Sequence, residues 1–172
     1  MDGYNCFGCC PDNPLGVRMR FYDSDASDIN ADIVSVWNPT YDHQSWINTL
    51  HGGVQATLLD EVCGWVVFKK LCTSGVTAKM DIHYKNAVST INGPLILRAR
   101  LKSNNHRVAV VEGELQDKEG KVLTLCKCTY FSFPEEKAVE MGFKEATLAD
   151  EEVTLEEAIV RSMVPTIRYK KL

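Results

Sequence analysis

Two adjacent carboxylates, Asp60 and Glu61, lie inside a mostly apolar run, LHGGVQATLLDEVCGWVVFKKL, from Leu50 to Leu71. A buried helix excludes such groups unless they are paired or functional. The run opens on His51-Gly52-Gly53, so two residues without side chains stand where the first backbone N–H groups of a helix have no partner inside it. Those donors can hold a carbonyl oxygen. Gly52 and Asp60 are eight residues apart, roughly 12 Å along a helix at 1.5 Å per residue, too far for one helix to bring both to one reacting carbon. If the two residues work together, they do so across a two-fold dimer, where the helix meets an antiparallel copy of itself. Asp60 has small helical neighbours, Ala56, Thr57, Cys63 and Gly64, which leave room for a substrate. Glu61 faces Thr57, Trp65 and Phe68 and is the competing acid. The plain structural role for Asp60 is to cap a loop or pair with Lys69 or Arg18.

The elements that must position these residues follow from periodicity. The run from Leu50 to Leu71 contains no proline, has only Gly64 as a weak helix former and is too long for a buried strand, which predicts one central helix. Before it, Val17–Tyr22 alternates as a first strand, Asp23–Asp28 is a turn, and Ile29–Trp37 is a second strand whose phase slips toward Val34 and Val36. Thr40–Asn48 is the loop into the helix. After it, Val76–Lys85 alternates most cleanly, with Val76, Ala78, Met80, Ile82 and Tyr84 on one face and Thr77, Lys79, Asp81, His83 and Lys85 on the other. Leu95–Lys102, Val108–Gln116 and Val122–Phe133 complete four strands in hairpin order, separated by Gly93-Pro94, Asn104-Asn105 and Lys118–Gly120. The pattern is α+β with one antiparallel sheet. Pro134 ends the sheet, Glu135–Met141 begins a surface helix, and the acidic stretch 146–163 reads as a solvated amphipathic helix.

Composition narrows the function. A chain of 172 residues, 45% hydrophobic and 24% charged, suits one globular domain. Its formal charge of −4 offers no basic surplus for a phosphate backbone, so no nucleic-acid partner is expected. No signal-like start precedes the domain, and Asp60 and Glu61 interrupt the one long apolar run, so no membrane span is expected and the location is cytoplasmic. The seven cysteines then read as thiols rather than a disulfide framework. Cys6 and Cys9 have the spacing of a zinc knuckle or redox pair, yet no second pair follows, so neither metal nor cofactor is expected. Pro11, Pro14 and Gly16 make residues 1–16 a structured Cys/Pro/Gly-rich leader.

His51-Gly52-Gly53, a run of small and apolar residues, and an acid nine positions after the histidine resemble hotdog-fold acyl-CoA thioesterases, of the PaaI-like and 4-hydroxybenzoyl-CoA thioesterase superfamily. The match extends to GVTAKMDIHYKNA after the helix and to Cys6, Cys9, Asn13, Pro14 and Gly16 in the leader. The resemblance implies a sheet of about five to six strands wrapped on one long helix over residues 17–134, with 135–172 as a helical extension. It implies a homodimer, with pairing of dimers into a homotetramer left open, and an active site between subunits. It makes Asp60 the general base or nucleophile and Gly52 N–H the oxyanion donor, with His51, Gly53, Thr77 and Trp46 on the substrate side and Glu61 second choice. Lys85, Arg98, Arg100, His106 and Arg107 are candidate phosphate partners. Several family members carry Asn or Gln six positions before the histidine, where this chain has Ser45. The expected function is hydrolysis of an acyl-CoA thioester to acid and CoA, the alternative a non-catalytic hotdog protein that binds acyl-CoA or another small ligand.

Overall fold

The computed structural model describes residues 5–141 and Glu157. The apolar run forms helix α1, Gly52–Lys70, and the His51 ring caps it by accepting the Gly53 N–H. Leu58, Leu59, Val62, Cys63, Val66 and Val67 recur at three- and four-residue spacing and are buried, so α1 has one continuous inner stripe. Each of the fully buried leucines contributes roughly 1.5–3 kcal/mol by leaving water. At the far end, Lys70 binds Asp23 Oδ1 at 2.6 Å and the carbonyls of Asp25 and Asp28. That places the turn 23–28 against the helix C-terminus, where a cation suits the last carbonyls.

The stripe packs on a six-stranded antiparallel sheet: β1 Tyr22–Asp23, β2 Ile33–Trp37, β3 Gly75–Tyr84, β4 Leu95–Asn105, β5 Val108–Gln116 and β6 Val122–Ser132. The spatial order is β1-β2-β4-β5-β6-β3. Leu95, Leu97 and Ala99 of β4, Ala109, Val111 and Leu115 of β5, and Cys126, Cys128 and Tyr130 of β6 meet α1 in one core. Helix α2, Glu135–Glu140, follows the sheet and buries Ala138. The acidic stretch 146–163 lies outside the described residues except for Glu157.

Three expectations about the strands are corrected. Residues 17–21 alternate because Val17, Met19 and Phe21 enter the core, but they do not join the sheet. Arg18 has φ of +54°, and the backbone pairs instead with the leader through Val17 N to Phe7 O and Met19 N to Gly8 O, both 2.8 Å. The second strand starts only at Ile33, because 28–31 form a turn closed by Ala31 N to Asp28 O. Strand β3 does not form a hairpin with β4 but pairs with β6 at the far edge. The segment after it instead bonds to the loop ahead of α1, through Leu50 N to Val88 O and Thr90 N to Asn48 O. Among the described residues the outer edge of β3 is therefore uncovered, with Val76 48% exposed.

Candidate active site

Asp60 projects from the middle of α1 toward β6 and β3, and its carboxylate is held by two hydroxyls. Thr77 Oγ1 donates to Asp60 Oδ1 at 2.8 Å. The Tyr130 hydroxyl lies 3.1 Å from the same Oδ1 and 2.8 Å from the Asp60 carbonyl oxygen, one proton between two acceptors. Oδ2 has no hydrogen bond among the described residues, so one carboxylate oxygen is fixed and the other is open. Burial first, with the Asp60 carboxylate beside it, pushes the Tyr130 hydroxyl far above its usual range. It therefore stays a donor. Gly64, one turn beyond Asp60, leaves space beside that hydroxyl: a Cβ there would lie 3.9 Å from it.

Thr77 reaches Asp60 because the strand is irregular. A bulge between Thr77 and Lys79 leaves Ala78 outside the register, so Thr77 opposes Tyr130 while Met80 opposes Cys128 and Ile82 opposes Cys126. Directly opposed residues share a face, so the bulge puts Thr77 on the inward face with Met80, Ile82 and Tyr84. Strict alternation had put it on the other side. Here one extra residue re-aims a hydroxyl at the acid.

The start of α1 is held just as firmly. Tyr84, at the end of β3, donates to the Gly52 carbonyl at 3.0 Å. Gln55, 5% exposed, donates to Leu50 O and accepts from Thr124 Oγ1 at 2.6 Å. Gly53 N–H is taken by His51 Nδ1 at 2.9 Å, whereas Gly52 N–H has no partner among the described residues. Among the described residues, the His51 cap thus leaves the Gly52 N–H, like that of Val54, without a partner at the helix N-terminus. Within one protomer the Gly52 donor and Asp60 remain separated by the eight-residue span, roughly 12 Å.

Other expected residues are not brought to Asp60. Trp46 is 81% exposed and Ile47 is 86% exposed, at the tip of a tight loop closed by Ser45 N to Thr49 O and Thr49 N to Trp46 O. Ser45 Oγ and Gln44 Oε1 are engaged inside that loop with Thr49 O and Asn48 N. Glu61 faces the leader, where its Oε1 accepts from Trp65 Nε1 at 3.2 Å and from Cys6 Sγ at 3.7 Å. Arg98 and Arg100 both reach Asp32, at 3.1 and 3.4 Å. They also line a groove with His83, Glu112 and Lys127 that does not include Asp60.

Tyr130, Tyr84 and Gln55 were not singled out from sequence. The signal for Tyr130 was its position in step with Cys126 and Cys128, since a tyrosine on a buried face needs a partner for its hydroxyl. Beside it, Cys63, Cys126 and Cys128 fill the core, with sulfur separations of 3.7 and 4.0 Å. Contact with Cys126, then Cys128 and burial, hold the Cys63 thiol well above its usual range, so it packs as a neutral group.

A sheet wrapped on one long helix in this order is the hotdog architecture. The family model of the thioesterase superfamily matches residues 47–124, from the loop before α1 into β6, and bears out the resemblance drawn from His51 to Asp60. In fold the chain is similar to a thioesterase superfamily protein, with 24% identity, TM-score 0.62, and 70% of this chain and 57% of that one covered. It is also similar to zebrafish thioesterase superfamily member 2, with 25% identity, TM-score 0.55, and 58% and 73% covered. A third is a hypothetical thioesterase from Streptococcus pneumoniae solved with coenzyme A, with 20% identity, TM-score 0.59, and 68% and 85% covered. The chain spans 57% of the length of the first of these. No curated protein sequence matches it. Among the described residues no helix is long and apolar enough to cross a membrane.

Proposed function

We propose that the protein is a cytoplasmic thioester hydrolase that converts an acyl-CoA and water to a free acid and CoA. The observation that carries this reading is the Asp60 carboxylate, anchored through Oδ1 by Thr77 and Tyr130 with Oδ2 left open. The thioesterase-superfamily match and the similarity to a Streptococcus pneumoniae protein solved with coenzyme A support the substrate class. In this reading residues 17–134 are the catalytic domain, and the leader and the C-terminal extension are additions to it.

The chemistry needs little more than these groups. A thioester is activated and its thiolate leaves readily, so Oδ2 of Asp60 either takes a proton from an attacking water or attacks the carbonyl itself. The oxyanion that forms is met by the free Gly52 N–H at a helix N-terminus. Collapse breaks the C–S bond, and the CoA thiolate leaves and takes up a proton; where Asp60 is the nucleophile, the acyl–Asp60 anhydride left behind is hydrolysed by water to the free acid and the regenerated carboxylate. Thr77 and Tyr130 position the acid. Because the helix separates Gly52 from Asp60, the site is completed by the Gly52 of a second copy, and dimers can pair further into a tetramer. The outer edge of the ten-residue β3, which pairs only with β6 among the described residues, supports such an assembly. His51 sets the donor, and Gly53 and Trp46 lie on the substrate side of that shared site.

Thiol release from short, medium, long-chain and aromatic acyl-CoAs, with wild type beside Asp60→Ala, tests the reading. Turnover lost in the variant is expected, and wild-type rates from Asp60→Ala overturn it. The second reading, a non-catalytic acyl-CoA binder, is favoured by Ser45, whose hydroxyl is engaged with Thr49 O where family members supply a further donor. Saturable binding without turnover by a folded, dimeric wild type selects that reading.

A further inference from the structure

We propose that Cys6, Cys9 and Glu61 form a binding site for a thiophilic divalent cation of the zinc class, which clasps the leader to the central helix. This goes beyond acyl-CoA hydrolysis and does not depend on it. The sequence supplied two cysteines at knuckle spacing and no second pair. The fold supplies the third ligand from 55 residues away, a carboxylate on α1. The two sulfurs and a Glu61 oxygen all lie within 4.8 Å of one another. The Cys6 sulfur to Glu61 Oε1 distance, 3.7 Å, already equals the ligand separation about a tetrahedral zinc, roughly 3.5–3.8 Å for bonds of about 2.3 Å to sulfur and 2.0–2.2 Å to oxygen.

The surroundings are those of a built site rather than a loose end. Cys9 N–H points at Cys6 Sγ (3.3 Å), and Cys10 N bonds Cys6 O (3.2 Å), which closes the turn around the first sulfur. Asn13 Nδ2 donates to the carbonyls of Asn5 and Cys6, and Phe7 O and Gly8 O accept from Val17 and Met19, which are core residues. Gly8 lets the Glu61 carboxylate lie directly against the leader, since a Cβ there would displace it. Trp65 Nε1 orients that carboxylate, as outer hydrogen bonds orient metal ligands.

Charge gives the independent reason. Glu61 is half-buried, yet among the described residues no lysine, arginine or histidine pairs with it. A carboxylate withdrawn from water calls for a positive partner. Two thiols and a carboxylate select a soft or borderline cation over magnesium or calcium. Binding releases the two thiol protons, and water takes the fourth position of the half-buried site. The other thiol cluster, Cys63, Cys126 and Cys128, is a weaker candidate because it is closed in the core and has no carboxylate.

The test uses the full chain without a polyhistidine tag, reduced, stripped with a chelator and titrated with Co(II), then with Zn(II) in competition. One equivalent of Co(II) is expected, with a thiolate-to-cobalt charge-transfer band and tetrahedral d–d bands that Zn(II) displaces. Cys6→Ser and Cys9→Ser remove or halve the charge-transfer band. Glu61→Gln weakens affinity by about tenfold or more, since even loss of an outer partner costs about 10–100-fold. No stoichiometric cobalt in the reduced, folded wild type overturns the proposal. So does a band that survives Cys6→Ser and Cys9→Ser but disappears in Cys126→Ser, which would assign the metal to the core cluster.

Discussion

Asp60 and Glu61 are neighbours in the chain and strangers in the fold. One residue of helix turns a side chain by about 100°, so the first acid faces β6 and β3 and the second faces the leader. Asp60 meets two hydroxyls near the sheet edge, and among the described residues one of its oxygens is left unbonded. Glu61 meets an indole N–H and a thiol under a folded turn. Both break the rule against charge in an apolar run, and each has its own reason. What each carboxylate can do is set by the element it faces, not by the helix that carries it.

The comparison can be broken at either acid. Asp60→Glu keeps the charge but moves the carboxylate off Thr77 and Tyr130, and a displacement near 1 Å is expected to lower kcat by about 10²-fold, read as thiol release. Thr77→Val removes one of the two bonds on Oδ1 while keeping shape. We expect kcat to fall roughly tenfold, about 1.4 kcal/mol of barrier, with KM little changed, and Thr77→Ser to restore most of it. On the other side, Trp65→Phe removes the donor to Glu61 Oε1 and keeps the ring stacked on Phe21, whose centroid is 4.6 Å away. Chemical unfolding should show a loss of about 0.5–1.5 kcal/mol.

The last effect is in the pH dependence of stability and appears only at alkaline pH. Tyr130 has a raised pKa in the folded state, so folding favours its protonated form. Its contribution is present below the unfolded tyrosine pKa of about 10 and is lost as pH rises above it, at up to about 1.4 kcal/mol per pH unit. Wild type should therefore lose stability above pH 10 more steeply than Tyr130→Phe, as measured by denaturant titration at a series of alkaline pH values. Equal slopes would show that the buried site does not hold the hydroxyl in its protonated form.

Much of this was legible in the sequence. The helix, and four strands from β3 to β6, follow from apolar periodicity, most plainly in β5 and β6, which keep one face buried along nine and eleven residues. The same reasoning misplaced residues 17–21, whose alternation is real but whose backbone partner is the leader. It put Thr77 on the wrong face, since a bulge changes phase without changing composition. The pairing of Glu61 with Cys6 joins residues 55 apart, which no local pattern encodes. Gly52 and Asp60 were legible as an incomplete pair, and the fold keeps them so.

The most direct measurement places Asp60→Asn and Glu61→Gln side by side in one thiol-release assay, on the acyl-CoA that wild type hydrolyses best. Asp60→Asn should lose about 10²–10⁴-fold in kcat/KM, the usual contribution of a positioned acid or base. Glu61→Gln should lose far less. A larger loss from Glu61→Gln than from Asp60→Asn would contradict the assignment and move the chemistry to the leader side of the helix.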